Sequence, residues 1–372
     1  MKKNKLIILA DWASPKEKTW SGTTWSLTQA LSKYYDVEIR DLDLPGWLLK
    51  IDNYAKLPIV GSLLGIIYDM LLRLRANKVI GPDKTIPVFE ICIDVQVDNP
   101  YFTYQDMSYS GGLYVKSLQN KYHFLWEAAG NNRYSKTELL RRVKRQKKEY
   151  QNSQASLWMG KWIYEYMKTE FPSLSDKFYH IGGGTNMDVN KVDVSKKFGN
   201  KFLFVGRDYK RKAGDLVLDA FKIVREKYMP NAELHIAGPK EQSFESVDGV
   251  YFYGDIDYAK VGELMNICDV FCMPSRFEAY GLVFVESLIY GLPNVARNFF
   301  EMPYFIKEGK DGYLITNDDP TKYADLMYKA ISNHDLINSV QSHREEYIKE
   351  YSWDSVALRA KNIIDSKMGF ES

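Results

Sequence analysis

The chain has 372 residues and an almost balanced charge, with 50 Lys and Arg against 48 Asp and Glu. This length is too great for one ordinary hydrophobic core and indicates two domains. A net charge of +2 argues against general nucleic-acid binding, and 45% hydrophobic residues without low-complexity tracts exclude a disordered chain.

The amino-terminal apolar run, residues 6–10, stops at Asp11. It is too short for the apolar region of a signal peptide and predicts a first buried strand. Cys92, Cys268 and Cys272 are too few for a disulfide framework, and no His or Cys pattern has zinc-ligand spacing. The sequence therefore predicts a cytoplasmic protein with no metal and no other cofactor.

The first half of the chain alternates strand and helix patterns. A helix follows Gly22, and apolar runs predict strands at residues 6–10, 37–40, 88–93, 101–104 and 177–181. A triple glycine at 182–184 and a polar stretch then indicate a boundary. The expected parts are residues 1–197, residues 198–352, and a carboxy-terminal helix in residues 353–372.

Two stretches of the first half are candidates for contact with a membrane. Residues 57–75 are largely apolar and end with Arg73 and Arg75, but the apolar part is too short to span a bilayer. It either dips into one leaflet or forms an ordinary core helix. Residues 133–150 carry eight Lys or Arg against two Glu. They form either a helix that rests on anionic lipid or a polyanionic acceptor, or a solvated surface helix.

The second half alternates more regularly. Strands are predicted at residues 201–206, 233–238, 250–254, 269–273, 294–296 and 313–315, with helices between them. This order is typical of a doubly wound parallel sheet. Ligands of such sheets bind at the carboxyl ends of the strands.

A basic loop at residues 206–215 leads from the first of these strands into a helix. Arg207 and Lys212 carry charges that are able to clamp a diphosphate, and a helix start favours an anion. The alternative is a solvated basic turn.

A second loop, residues 274–286, carries Glu278 and, one turn into an apolar helix, Glu286. A carboxylate among apolar neighbours is costly unless donors reach it, and sugar and ribose hydroxyls are such donors. The amides of residues 279–281, at the helix start, are placed to hold a phosphate or a hydroxyl. Alternatively, Glu286 caps a buried amide.

These motifs resemble family 4 of the retaining glycosyltransferases. Glu278 and Glu286 have the Glu-x7-Glu spacing of that group, within Phe-Glu-Ala-Tyr-Gly-Leu. Further matches lie at residues 206–212, 268–275, 290–295 and 309–314, so that the resemblance covers roughly residues 198–320. It implies the GT-B fold: an α/β protein of two facing Rossmann-like doubly wound domains with an interdomain cleft. In this fold the carboxy-terminal helix, residues 353–372, would cross back to the first domain.

The resemblance assigns acceptor binding to the first domain and the nucleotide sugar to the second. It implies that Arg207 and Lys212 neutralise the donor diphosphate, that Glu278 meets the sugar hydroxyls, and that Glu286 holds the ribose. Gly22 would bring its backbone to the donor phosphates. The donor-binding residues expected are Gly22, Arg207, Lys212, Glu278, Ala279, Tyr280, Gly281, Leu282 and Glu286.

Asp106 stands near the place where related enzymes often carry a catalytic-site histidine. It either orients the acceptor hydroxyl or contacts the donor sugar, or it caps a loop; His123 and His180 are expected to be structural. The sequence departs from the family pattern at Ala213, where glycine is usual, and at Ser287, where alanine is frequent. A single Gly22 replaces a glycine pair.

The resulting hypothesis is a retaining glycosyltransferase that works without a metal, with Glu278, Arg207, Lys212 and Asp106 as catalytic groups. It would move a hexose or N-acetylhexosamine from a UDP-linked donor to a glycan, wall-polymer, lipid-linked or protein acceptor. The alternatives are a catalytically silent nucleotide-sugar scaffold and a GT-B phosphorylase or epimerase. A further possible partner is an anionic membrane surface, bound through residues 57–75 and 133–150, and nucleic acid is not expected.

Overall fold

The computed structural model describes residues 3–55, 57, 60–119, 121–125, 134–196, 198–239 and 246–371. The chain divides into two compact units. The first unit comprises Met1–His123, Glu127–Asn186 and Ser352–Ser372, and the second comprises Phe124–Trp126 and Met187–Tyr351.

The first unit is built on a parallel sheet of six strands in the order β2-β1-β3-β4-β5-β6. The strands are β1 (Lys5–Ala10), β2 (Asp36–Asp41), β3 (Val88–Ile91), β4 (Tyr101–Gln105), β5 (Ala155–Trp158) and β6 (Phe178–His180). β1, β3, β4 and β5 are buried almost throughout, as expected for parallel strands whose two faces are covered by helices.

In the described part of this unit the α-helices between the strands are α1 (Thr23–Leu31), α2 (Gly46–Tyr54), α3 (Gly61–Ile80), α4 (Tyr109–Gln119), α5 (Lys136–Asn152) and α6 (Lys161–Glu170). Ser135 caps α5 by accepting a hydrogen bond from the amide of Glu138, the arrangement that a Ser-x-x-Glu sequence favours.

The second unit contains another parallel sheet of six strands, in the order β12-β11-β10-β7-β8-β9. Its strands are β7 (Lys201–Val205), β8 (Glu233–Ala237), β9 (Val250–Gly254), β10 (Val270–Met273), β11 (Asn294–Arg297) and β12 (Gly312–Ile315). Its helices are α7 (Gly214–Lys227), α8 (Tyr258–Ile267), α9 (Leu282–Ile289), α10 (Met302–Phe305), α11 (Pro320–Ser332), α12 (His334–Ser342) and α13 (Arg344–Glu350).

The chain ends in the first unit as α14 (Trp353–Met368). This helix packs on α1: Lys33 pairs with Asp354 at 2.5 Å, and the Tyr35 hydroxyl donates to Asp365 at 2.5 Å. Burial and the Asp365 carboxylate raise the pKa of Tyr35 well above its ordinary value.

The strand order reverses once in each sheet. In the first unit the reversal lies between β1 and β3, and in the second it lies between β7 and β10. At such a point the connections from the two neighbouring strands leave in opposite directions, which opens a crevice at the carboxyl ends where ligands of this fold class bind. The basic loop at residues 206–213 follows β7, and the loop with Glu278 follows β10.

The structure changes the interpretation of the basic stretch at 133–150. Arg133 lies outside the described residues, and α5 begins at Lys136. Arg141, Arg142 and Arg145 point into the protein rather than toward solvent or lipid. Their partners include Asp52 of α2 and Asp69 of α3. The two leucines of this helix also lie in different surroundings, since Leu139 is buried and Leu140 is exposed.

Candidate active site

The two loops that leave the reversal point of the second unit are held together by backbone and side-chain contacts. The amide of Arg276 donates to the carbonyl of Arg211 at 2.8 Å. The Arg211 guanidinium donates to the carbonyl of Phe277, also at 2.8 Å. The charged side chains of the two loops therefore share one small region of the unit.

An ion pair between Lys212 and Glu278 lies where the loops meet. Glu278 also accepts a hydrogen bond from the Ser275 hydroxyl at 2.9 Å and lies 3.4 Å from the Arg211 guanidinium. Burial disfavours the charged form of Glu278, but Lys212 and Arg211 outweigh it, and the pKa of Glu278 is lowered. Burial also lowers the pKa of Lys212, against the pull of Glu278.

Glycines allow the chain to bring Lys212 to this position. A Cβ on Gly206 would lie 2.8 Å from Cγ of Lys212, so only glycine lets the lysine stem cross the loop. Gly238 follows β8 at φ +113°, and a Cβ there would lie 2.6 Å from the carbonyl carbon of Gly206. The loop after β7 is thus packed directly on the start of the loop after β8.

Ala213 precedes α7 in the left-handed conformation, with φ 58° and ψ 38°. Glycine adopts this conformation without the penalty that a Cβ brings. Ala213 therefore departs from the family pattern in residue type, but its backbone keeps the conformation that favours glycine.

Arg207 belongs to the same loop but is not part of the Lys212–Glu278 pair. Its side chain is 74% exposed, and its Nε donates to Asp255, which follows β9, at 2.9 Å. The structure thus brings together two of the expected catalytic residues of this unit and leaves Arg207 on the surface, where it is available to an incoming anion.

Two further arginines fix the loop after β10. Arg276 bonds to Asp215 at 2.8 Å and to Asp318 at 2.9 Å. Arg297, fully buried, donates to the carbonyls of Pro274 and Ser275 at 3.0 and 3.1 Å and also pairs with Asp318. Neither arginine had an assigned role in the sequence analysis.

Gly281 ends this loop at φ 96° and ψ 60° and precedes α9. Ala279, Tyr280 and Leu282 surround it at the helix start, with the Tyr280 ring buried against Phe305. Glu286, one turn into α9, is only 4% exposed. It lies near Tyr290, since its charge contributes, after burial and Asp188, to raising the pKa of that tyrosine.

Ser287 lies in the core, where Asn294 is its polar partner. Its hydroxyl donates to Oδ1 of Asn294 at 2.5 Å, and the Asn294 amide donates to the carbonyl of Phe284 at 3.0 Å. Both side chains are fully buried. The second departure from the family pattern is thus compensated within α9 and β11.

The loop before α1 in the first unit has an unusual backbone. Trp20, Ser21 and Gly22 have consecutive positive φ angles of 46°, 57° and 90°. Asn186 fixes this loop: its amide donates to the carbonyl of Ser21 at 2.9 Å, and its Oδ1 accepts from the Ser26 hydroxyl at 2.9 Å. Asn186 is a positioning residue to which no motif of the sequence points.

Asp106 directly follows β4, and Cys92 directly follows β3. The Cys92 side chain is exposed, and its electrostatic interaction with the Asp106 carboxylate places the two groups close together. His180 ends β6, where burial and two nearby cations lower its pKa to about 4. His180 is therefore neutral at physiological pH and His123 is exposed; nothing in the described structure gives either a chemical role.

The site offers an anion the cation-rich loop after β7 and two helix starts, α7 and α9, with backbone amides at their first turns. Within the described ranges, no group of three or more His, Cys, Asp or Glu side chains is arranged to hold a metal ion. In the same ranges no helix is long and apolar enough to cross a bilayer.

Comparison with solved structures defines the class of fold. Anabaena HepE, solved in complex with UDP and glucose, has a TM-score of 0.63 and 14% identity, and the match covers 98% of this chain and 100% of that chain. The fold is that of the GT-B glycosyltransferases, with two Rossmann-like units.

Sequence comparison also indicates similarity to glycosyltransferases. Residues 189–351 match the family model described as glycosyl transferases group 1. A phosphatidyl-myo-inositol mannosyltransferase of Mycobacterium leprae is 27% identical over 208 residues, which are 53% of this chain and 56% of that protein. A 41.2 kDa protein of the cps region of Klebsiella pneumoniae is 35% identical over 141 residues, which are 37% of this chain and 38% of that protein. The chain thus spans about half or less of the length of these curated relatives.

Proposed function

We propose that this protein is a retaining glycosyltransferase of family 4. It moves a hexose or N-acetylhexosamine from a UDP-linked donor to a glycan, wall-polymer, lipid-linked or protein acceptor bound by the first unit. The observation that carries the proposal is the buried Lys212–Glu278 pair at the strand-order reversal between β7 and β10. It lies inside the part of the chain that matches the glycosyltransferase model.

The donor diphosphate binds to the loop after β7. Arg207, exposed on that loop, exchanges part of its contact with Asp255 for a phosphate oxygen, and Lys212 offers the remaining hydrogens of its ammonium group. When the glycosidic bond to the diphosphate breaks, negative charge grows on the leaving oxygen. These cations and the amides at the helix starts stabilise that charge because they are already in place.

Glu278 acts as an acceptor for sugar hydroxyls, not as a nucleophile. Its lowered pKa keeps it ionised at neutral pH, and Lys212, Arg211 and Ser275 hold its carboxylate in one orientation. Glu286, buried one turn into α9, accepts from the ribose hydroxyls. Asp106 orients the acceptor hydroxyl, and a phosphate oxygen of the leaving group takes the acceptor proton.

The proposed reaction needs no divalent cation, since protein cations and amides take its place. A UDP-linked donor is favoured by the similarity to HepE, whose structure contains UDP and glucose. Titration with UDP-, GDP- and ADP-sugars, followed by thermal unfolding, identifies the donor. Release of UDP with a panel of acceptors, in buffer with and without EDTA, then measures turnover. We expect equal rates in the two buffers.

The stereochemistry is tested on the product. With a donor whose sugar is α-linked to UDP, retention gives an α-linked product, which the anomeric proton coupling in an NMR spectrum identifies. A β-linked product contradicts retention.

A matched pair of variants tests the site. Glu286→Gln should weaken donor binding, whereas Glu263→Gln, an exposed change on α8, should have no effect. Donor binding without turnover on all acceptors would favour a silent scaffold, and release of an epimerised sugar or a sugar phosphate would favour an epimerase or a phosphorylase.

A further inference from the structure

Helix α3 is apolar on two opposite faces. Gly65, Tyr68, Leu72 and Ala76 lie on its buried face. On the opposite face, Leu63, Ile66, Met70 and Leu74 are exposed by 63%, 56%, 56% and 61%. An ordinary surface helix has a polar outer face, and a helix that is apolar all round is normally buried or in contact with lipid. The core therefore accounts for only one of the two apolar faces.

The acidic residues of α2 and α3 are neutralised from within the protein. Asp52 pairs with Arg142, and Asp69 pairs with Arg141 and Arg145. These are the only acidic residues between Gly46 and Ile80, a stretch that also carries five Lys or Arg. The three arginines of α5 thus cancel the negative charge of the two helices. Arg73 pairs with Asp98 and Arg75 with Asp43, so the positive charge of the outer surface comes from the exposed Lys50 and Lys78.

The residue types around the exposed face are those of a lipid interface. On α2, Trp47 and Tyr54 are exposed by 57% and 58% and lie seven residues apart, with the exposed Lys50 between them on the same face. On α3, Lys78 lies one turn after Leu74 and is exposed. Trp and Tyr are enriched at the boundary between headgroups and acyl chains, and cations near an apolar stripe bind anionic headgroups.

We propose that the exposed faces of α2 and α3 form a docking surface for an anionic lipid bilayer. Leu63, Ile66, Met70 and Leu74 enter the boundary of the acyl chains, and Lys50 and Lys78 contact the headgroups. The helix α5 holds the docking helices through its buried arginines and is not itself the lipid-binding element. This surface is separate from the proposed donor site and does not depend on the proposed reaction.

Charge selects the lipid surface over a second copy of this chain. Two copies that met through this face would bring two cationic surfaces together, and their repulsion would oppose the apolar contact. An anionic bilayer satisfies both the apolar stripe and the surrounding cations.

Co-sedimentation of the full chain with vesicles tests the proposal. The protein should sediment with vesicles of phosphatidylcholine and phosphatidylglycerol and remain in solution with phosphatidylcholine alone, and high salt should weaken binding. The double variant Leu63→Ser/Met70→Ser should lower the partition coefficient about tenfold or more, because two apolar side chains no longer leave water. Lys50→Glu/Lys78→Glu should abolish the preference for phosphatidylglycerol.

Val194→Ser is the control. Val194 is 73% exposed in the second unit, so this change should leave vesicle binding as in the wild type. All the substituted side chains are exposed, and the melting temperatures should stay alike. The proposal is overturned if the wild type does not sediment with anionic vesicles, or if Leu63→Ser/Met70→Ser binds them equally well. It is also overturned if light scattering shows a wild-type dimer that this double variant converts to a monomer.

Discussion

Trp353 donates its indole N–H to Oδ1 of Asn186 at 2.8 Å. The first residue of α14 therefore holds the side chain that fixes the strained loop of Trp20, Ser21 and Gly22. The carboxy-terminal helix and the loop before α1 form one connected structure within the first unit.

Asn186→Ala should loosen this loop. The change removes hydrogen bonds to Ser21, Ser26 and Trp353, and we expect the free energy of unfolding to fall by about 1–3 kcal/mol. Amide exchange at residues 20–24 should become faster. Asn190→Ala, which removes only an exposed contact with Asp188, is the control, and equal exchange in the two variants would contradict the role of Asn186.

Lys212→Met should lower the rate of transfer by about 10²-fold or more, because one preorganised cation at the leaving group is lost. It also leaves the buried Glu278 without its main partner, so we expect a loss of about 3 kcal/mol in stability. The double variant Lys212→Met/Glu278→Gln should recover most of the stability but not the rate, as judged by urea unfolding and UDP release.

Lys222→Met is the control for these measurements, since Lys222 is a half-exposed lysine on α7 outside the site. A normal rate in Lys212→Met would remove Lys212 from the mechanism, whatever its effect on stability.

Ala213→Gly should stabilise the protein. The left-handed backbone at this position costs an L-residue about 1 kcal/mol, which glycine avoids, and the gain should appear as a higher urea midpoint. The neighbouring Gly214→Ala should act in the opposite direction, because a Cβ there would lie 2.2 Å from the Tyr209 ring. A lower midpoint for Ala213→Gly would contradict this account.

The free energy of unfolding should fall as the pH rises, because the first unit contains a pair of buried acids. Glu90 of β3 and Glu149 of α5 are almost fully buried, and their carboxylate oxygens have no hydrogen-bond partner within the described ranges. Burial raises both pKa values, and the charges of Glu149 and Asp94 raise that of Glu90 further. The folded protein therefore keeps protons that the unfolded chain releases above its ordinary pKa of 4.5, and the free energy of unfolding decreases from there upward.

Glu90→Gln should reduce this dependence and stabilise the protein by about 1–2 kcal/mol near neutral pH. Urea unfolding at a series of pH values measures it, with Glu165→Gln, an exposed change on α6, as control. If the free energy of unfolding of Glu90→Gln and that of the wild type change in parallel over this pH range, Glu90 does not release a proton when the protein unfolds.

Much of the second unit was predictable because four of its strands, β7 to β10, are short apolar runs that end at or just before glycine or proline. The predicted strand at 201–206 and the structural β7 differ by one residue, and Glu278 follows β10 as expected. In the first unit, β5 was missed. Its four residues follow the long basic helix directly, and a short apolar run has no period that separates a strand from a helix.

The sequence alone could not show which side chains contact one another. The spacing of Glu278 and Lys212 indicated that each follows a strand, but not that they form an ion pair, since that depends on which strands are adjacent. The arginines of α5 show the same limit: their number indicated a cationic surface, whereas the acids of α2 and α3 draw three of them inward.

The Ser287–Asn294 hydrogen bond couples substitutions at two positions that lie seven residues apart in the sequence. Restoring alanine at 287 alone would leave Oδ1 of Asn294 without this donor in a dry interior. After an apolar change at 294 alone, the serine hydroxyl would still have the Phe284 carbonyl, 2.8 Å away, as its acceptor. A redesign of α9 that restores alanine at 287 must therefore change Asn294 as well.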